Sequence, residues 1–476
     1  MERRSKELVF VPCPGVGHII STIEFATRLL DQHPELELSV TLLIMPAPFN
    51  PYLDSHVTSL VSSLPRFTLF SLPPASPPLP HLPRSIEYFI VSLVQSYLPH
   101  VRSLLQQLLS GPATPLALFL DLFCTPLMDA AHDLSLPSYI YLTSGAGFLD
   151  FVLHLPVRHP QLKREFFISD PDLPLPGSSL PLPMSSLPGA VFDGDQTGGY
   201  AAYLKFSSRF RDARGIVVNT FFELEHQTIS SLSRIDGIPP LYTVGPVIDH
   251  KGLPHPSFDR DRWEAIWRWL DQLPDSSVVF LCFGSMGGFN VEQVKEIAAG
   301  LEHSGHRFLW ALRMLDSPKQ LEEVKPESIL PEGFLGRTEG RGVVCGWAPQ
   351  VEVLGHRAIG GFVSHCGWNS TLESLWHGVP MLTWPIYAEQ QLNAFRMVKE
   401  LGLAVELRLD YREGAGEVVK ADEIERGVRL LMEGEAGEVR RKVKEMKEAA
   451  RRAVCEGGSS YHSIHKLIQD LVNQGS

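Results

Sequence analysis

No apolar run in this sequence approaches the roughly 18 to 20 residues needed to cross a bilayer. The opening MERRSKELVFVPCPG carries positive charge, but its short apolar stretch leads straight into a first strand and is not a signal peptide. Cysteine is scarce: six in 476 residues, at 13, 124, 282, 345, 366 and 455, with no Cys-x-x-Cys pair. That spacing argues against a disulfide framework or a zinc clip, and thiols inside strand-like runs read as buried and free. A surplus of positive charge is missing too. Against 54 Asp and Glu stand 42 Lys and Arg, for a net charge of −12, which disfavours a nucleic-acid partner. The one dense basic run, Arg440 to Arg452, is interleaved with Glu438, Glu445 and Glu448 and reads as a solvated helix face. The expectation is a monomeric, cytoplasmic, metal-free protein that neither binds nucleic acid nor inserts stably into a membrane.

Three motifs are absent in their full form. After the apolar run at 8–10 comes Gly15-Val16-Gly17, but a dinucleotide fingerprint needs a third glycine where Ile20 stands. The second strand ends Met45-Pro46, without an acid for a ribose. Ser285 lacks the first glycine of a hydrolase elbow, because Phe283 occupies that place. The Asp-x-Asp triplets at 170, 193 and 259 follow no apolar strand and read as turns rather than metal ligands.

What is present is alternation. Apolar strand candidates at 7–12, 38–45, 66–72, 116–123, 138–144 and 215–221 are separated by amphipathic stretches such as 18–31 and 85–110. Near-continuous Val, Leu, Ile and Phe runs between helices describe a parallel sheet covered on both faces. The stretch 170–190 is too rich in Pro and Ser for an element and reads as a surface loop. Beyond a linker the pattern restarts at 277–284, 306–313, 342–347, 360–367, 380–385 and 403–409. The expected architecture is α/β, two doubly wound parallel-sheet domains with a ligand cleft between them. The expected boundaries are 1–240 for the first domain, 241–256 for the linker, 257–455 for the second domain and 456–476 for a helix returning to the first.

The densest cluster of unusual residues runs from Trp347 to Gln391, WAPQVEVLGHRAIGGFVSHCGWNSTLESLWHGVPMLTWPIYAEQQ. A strand ending in a glycine turn passes through Trp368 into a helix beginning near Asn369 and Ser370, whose free N–H groups suit a phosphate. His365 can donate to the same phosphate. Glu373 can accept both hydroxyls of a ribose, and Trp347 can stack on a base. Glu389 and Gln390 open another helix, where an acid and an amide can bind sugar hydroxyls.

With its spacing from Trp347 through His365, Trp368-Asn369-Ser370 and Glu373 to Gln390, this stretch resembles the signature box of plant family 1 UDP-glycosyltransferases. GSM at 284–286, VGP at 244–246 and the N-terminal PGVGH extend the resemblance over nearly the whole chain, most closely to the branch acting on flavonoids, other phenolics and terpenoids. It implies a GT-B fold of two Rossmann-like domains, the second holding UDP-sugar and the first the acceptor. Carried over, Trp347 stacks on uracil, and Ala348 and Gln350 contact the base and ribose side. Glu373 holds the ribose. His365, Asn369 and Ser370, with Ser285, bind the pyrophosphate, and Trp384, Glu389 and Gln390 hold the sugar. Gln390 goes with glucose, so UDP-glucose is the expected co-substrate and no cofactor is called for. Two departures stand out: Glu389 replaces a commoner Asp, and Ser21 replaces a Pro often found three residues after the histidine of the PGVGH motif.

Glucose transfer to a hydroxyl needs a general base, and a histidine oriented by a carboxylate is suited to it. Asp121 ends an apolar strand, where an unpaired carboxylate is costly. His18 is the candidate partner, although a loop-capping histidine is the ordinary alternative, and the resemblance assigns the base role to it. Thr143 corresponds to a position touching the sugar–phosphate region. Ile86, Phe123 and Phe148 are candidates for an apolar acceptor pocket. The leading expectation is an inverting UDP-glucose-dependent O-glucosyltransferase. The alternatives are another UDP-sugar donor, a non-catalytic nucleotide-sugar or phenolic binder, and, lower, a nicotinamide oxidoreductase.

Overall fold

The computed structural model describes residues 6–46, 53–74, 85–250, 259–314, 328–412, 414 and 416–473. The first sheet is built from β1 (Lys6–Val11), β2 (Ser39–Ile44), β3 (Phe67–Ser71), β4 (Thr114–Asp121), β5 (Ser138–Leu142), β6 (Gly215–Val218) and β7 (Leu241–Thr243). Its strands lie in the order β3-β2-β1-β4-β5-β6-β7, all parallel. The second sheet contains β8 (Val278–Cys282), β9 (Arg307–Ala311), β10 (Gly342–Cys345), β11 (Ile359–Ser364), β12 (Met381–Thr383) and β13 (Ala404–Glu406), in the order β10-β9-β8-β11-β12-β13. Each order reverses once, at β1/β4 and at β8/β11. At such switch points the loops diverge to opposite faces and leave room for a ligand beyond the strands' carboxyl ends. The sequence reading of two doubly wound parallel-sheet units holds.

Two compact units divide the chain: residues 1–184, 189–248 and 452–476 form one, and 185–188 with 249–451 the other. The first core joins Leu8, Phe10, Leu42 and Phe119 of the central strands to Ile464, Leu467, Ile468 and Leu471 from the end of the chain. The second joins Val279, Leu281, Trp310, Val363 and Trp384. Among the described residues no helix is long and apolar enough to cross a membrane.

Five helices matter below: α1 (Val16–Gln32), α2 (Ala146–Leu162), α3 (Trp368–His377), α4 (Gly437–Val454) and α5 (Ser459–Asn473). Some details depart from the sequence reading. The expected linker opens with a strand, because Leu241–Thr243 pairs with β6, and the first unit continues to residue 248. The amphipathic stretch 85–110 is two helices, Ile86–Ser96 and Leu98–Ser110, with Pro99 in the first turn of the second. The helix expected from residue 456 begins at Ser459, parted from α4 at Gly457, with φ +83°, and Gly458. The Pro- and Ser-rich stretch is packed rather than loose. Leu173, Leu175, Leu182 and Met184 are buried, and the buried Asp150 of α2 accepts the Gly177 N–H at 2.8 Å.

Candidate active site

At the first switch point β1 and β4 lie side by side, with Val11 opposite Leu120. Beyond β1 the chain turns through Cys13-Pro14 and enters α1 with Gly15 at the N-cap, so His18 stands in the helix's first turn. Asp121 is the last residue of β4, and its side chain is fully enclosed. Its Oδ2 lies 2.7 Å from His18 Nδ1, and its Oδ1 accepts the Phe123 N–H at 3.1 Å. The Thr143 hydroxyl, one residue past β5, lies 3.1 Å from the same Nδ1. Three strand ends thus converge on one imidazole, whose side chain remains 30% exposed. With Nδ1 donating to the carboxylate, Nε2 keeps its lone pair, and the arrangement can take a proton from a hydroxyl. Thr143, expected on the donor side, stands at this pair.

Cys13, His18 and Asp121 offer ligand atoms that all lie within 4.8 Å of one another. Burial, helped by the charge of Asp121, pushes the Cys13 thiol well above its ordinary value. A thiol held protonated is a poor metal ligand. Phe123 sits beside this imidazole, its ring centroid 6.1 Å from that of His18. Phe148 is buried in α2 and meets Tyr203 edge-on at 6.3 Å. Ile86 is half-exposed at the start of its helix.

The second switch point pairs Ser364 of β11 with Cys282 of β8. His365 follows β11, buried and hydrogen-bonded to the Cys282 backbone, and burial lowers its pKa to about 4. It is therefore neutral near pH 7. Its Nδ1 has no hydrogen-bond partner among the described residues. Glycines on both sides make room for this ring. A Cβ on Gly284 would lie 2.6 Å from His365 Nε2, and one on Gly367 2.5 Å from it. Gly284 also has φ +76°, which favours glycine. Arg313, at the end of β9, donates to the Ser285 carbonyl and holds that loop.

The helix expected to begin near Asn369 starts one residue earlier. Gly367 is the N-cap of α3, and Trp368, Asn369 and Ser370 occupy its first turn, where N–H groups have no acceptor within the helix. Asn369 and Ser370 are therefore first-turn residues and not caps. Gln350 binds Ser370 Oγ at 2.8 Å and Glu373 Oε2 at 2.6 Å, fixing the carboxylate one turn along. Burial first, then the charge of Asp249, pushes Glu373 up to about 7, with the Gln350 bond opposing. Trp347 is half-buried just past β10, and Ala348 is buried beside it.

Gln390 is buried at the start of the helix Gln390–Phe395, and its Oε1 accepts the N–H groups of Ile386 and Tyr387 at 2.9 and 3.0 Å. Glu389 is the N-cap of that helix and makes no side-chain cap bond to it. Trp384 requires a correction. Its side chain is 0% exposed, enclosed by Phe283, Phe289 and Tyr411, so it supports the loop from behind and offers a sugar no surface. Trp368 is also mainly buried.

Sequence reasoning passed over Arg313, although a charged residue closing an apolar strand is the signal that singled out Asp121. It also passed over Glu225, whose buried carboxylate accepts the Ala146 and Gly147 N–H groups at 2.7 and 2.8 Å and caps α2 just beyond Thr143. That pairing spans 79 residues and has no local signature.

The family model described as UDP-glucoronosyl and UDP-glucosyl transferase matches residues 246–416. Over 98% of its length the chain is 49% identical to UDP-glycosyltransferase 71K1 of Malus domestica, covering 99% of that protein. It is 46% identical to flavonol 3-O-glucosyltransferase UGT71C4 of Arabidopsis thaliana, with 99% of each covered. Among solved structures, Medicago truncatula UGT71G1 complexed with UDP-glucose superposes with a TM-score of 0.90 at 47% identity, covering 98% of both chains.

Proposed function

The chain belongs to the UDP-glycosyltransferase family, whose fold is GT-B; from that premise we propose that it transfers glucose from UDP-glucose, with inversion, to a hydroxyl of a plant flavonoid, other phenolic or terpenoid, using His18 as general base. The observation that carries the proposal is the 2.7 Å bond between His18 Nδ1 and the enclosed Asp121 carboxylate at a strand-end switch point. Likeness to a flavonol 3-O-glucosyltransferase and to a structure complexed with UDP-glucose supports the acceptor class and the donor.

The acceptor hydroxyl gives its proton to His18 Nε2. Its oxygen then bonds to the anomeric carbon of glucose on the face opposite UDP, and the carbon–oxygen bond to UDP breaks with its electron pair leaving on the diphosphate. Asp121 orients the ring and stabilises the imidazolium as it forms. The first-turn N–H groups of α3, with His365 and Ser285, receive the charge that grows on the leaving group. Glu373 holds the ribose, Trp347 the uracil, and Gln390 with Glu389 the glucose. No step calls for a metal, since those dipoles and donors supply the stabilisation.

One assay tests this reading. Purified protein is offered UDP-glucose, UDP-galactose, UDP-xylose and UDP-glucuronate with a panel of phenols and alcohols. UDP-glucose is expected to be preferred, the product to be the β-glucoside, and His18→Ala to lose turnover about 10²–10⁴-fold while still binding UDP. Preference for another donor overturns the role given to Gln390. Near-full turnover of His18→Ala on a weakly acidic alcohol overturns the base.

A further inference from the structure

Helix α1 carries the base, yet its own start is weakly fixed. Gly15 at the N-cap contributes no side chain, and no side-chain cap bond closes the first turn. Something else must set the rotation of the helix and the height of its third residue against the sheet.

One turn beyond His18 the buried Ser21 meets the end of β5. Ser21 Oγ lies 2.7 Å from the Tyr141 hydroxyl, which also reaches the Ser21 carbonyl at 3.3 Å. Tyr141 and Thr143 are two residues apart, so both side chains leave the sheet on one face. His18 and Ser21 are three apart and share one face of α1. The strand end therefore grips the helix twice, Tyr141 holding Ser21 and Thr143 holding His18 Nδ1 at 3.1 Å. Asp121 lies directly opposite Tyr141 in the β4–β5 register, which puts the orienting carboxylate in the same layer.

A third group joins the contact. Asn219, fully buried one residue after β6, directs Nδ2 at Ser21 Oγ from 3.5 Å, while its Oδ1 accepts the Val247 N–H at 2.8 Å. The Tyr141 ring stacks on Phe25 of α1 at 4.8 Å. Burial raises the phenol further above its ordinary value, so it remains a neutral hydroxyl at any working pH. Polar groups this deep are costly unless paired, and they pair with one another in a single arrangement. Farther along the same helix Arg28 donates to the Val244 carbonyl at 3.0 Å, a second buried tie to the same segment.

We propose that Ser21, Tyr141 and Asn219 are positioning residues for glycosyl transfer: their buried hydroxyl–hydroxyl–amide contact fixes the rotation of α1 and thereby holds His18 Nε2 where the acceptor proton must be taken. The inference rests on His18 being the base. It goes beyond that reading by assigning a role in turnover to three side chains that touch no substrate. It also gives Ser21, one of this chain's departures from the family it resembles, a specific part.

The test compares Ser21→Ala, Tyr141→Phe and the double variant in the full-length enzyme. Two acceptors are used: a weakly acidic alcohol, which needs a base, and a phenol already ionised at the assay pH, which does not. Each single variant is expected to lower kcat on the alcohol about tenfold, as small displacements of reacting groups do. KM for UDP-glucose should stay unchanged, and turnover of the ionised phenol should stay near wild type. The double variant should be no slower than the slower single, because both substitutions break the same bond. Wild-type kcat on the alcohol in both singles overturns the inference, as does an equal loss on both acceptors, which marks a purely structural role. His18→Ala assayed alongside separates the two readings. If it keeps turnover on the alcohol, the base assignment falls and this inference with it. If it is inactive while both hydroxyl variants work normally, only this inference falls.

Discussion

Glu373 carries a conflict between holding a ligand and holding the fold. The role proposed for it asks its carboxylate to take ribose hydroxyls, yet burial pushes its pKa up to about 7. An acid whose folded pKa lies above its unfolded value of about 4.3 contributes stability fully below that value, and this is lost as pH rises through the folded pKa. Glu373→Gln removes the titration. Its melting temperature without ligand is therefore expected to gain on wild type as pH rises from 5 to 8, while its affinity for UDP falls. Thermal melts across that range with UDP calorimetry check both; a pH-independent difference overturns the reading. At this scale the sequence was informative where a residue's own chemistry singles it out, as with His18 and Asp121, which the structure brings to 2.7 Å. It was least informative where surroundings decide. Nothing in TWP says that the Trp384 indole faces the core, and the pairing of Ser21 with Tyr141 joins residues 120 positions apart.

The loops after β8 and β11 act as one element because glycine on each side leaves room for the His365 ring. Gly284→Ala forces a side chain into a left-handed conformation, costing about 1–2 kcal/mol, and points a methyl at the ring. The expected outcome is a modest drop in melting temperature and a UDP affinity reduced more than the stability loss explains. Unchanged UDP binding by calorimetry would show that the clasp has no part in holding phosphate. Strands were legible because buried parallel strands are continuous apolar runs, and 12 of the 13 were anticipated from that signal. The exception, β7, lies inside the Pro- and Gly-containing stretch 241–256 that reads as a linker. The helix break at Pro99 was visible as a residue but was outweighed by an amphipathic pattern that runs on across it.

For the whole molecule, α5 is the element to remove. Ile464, Leu467, Ile468 and Leu471 are buried in the first unit's core, Tyr242 of β7 hydrogen-bonds Asp470, and Ser460 donates to the Gly245 carbonyl. Four buried aliphatic side chains are worth roughly 6–12 kcal/mol, which is comparable to the whole stability of a domain. A chain ended after Cys455 is expected to lose the cooperative melting of the first unit and hydrogen-exchange protection of β1 and β4. Melting and exchange indistinguishable from the intact chain would refute this. The alternation of elements revealed the two units, whereas the packing partner of a helix at the far end of the chain leaves no local mark in the sequence.

Because residues 452–476 belong to the first unit, the second is, apart from 185–188, an insertion within the first. On the ribosome the first sheet emerges early but waits, its core open where Ile464 and Leu471 will close it, until more than 200 further residues have been translated. The second unit, contiguous from 249 to 451, has all its strands in hand sooner. The unit carrying His18 is thus begun first and completed last, so the final helix is a step in its birth as well as a part of its structure.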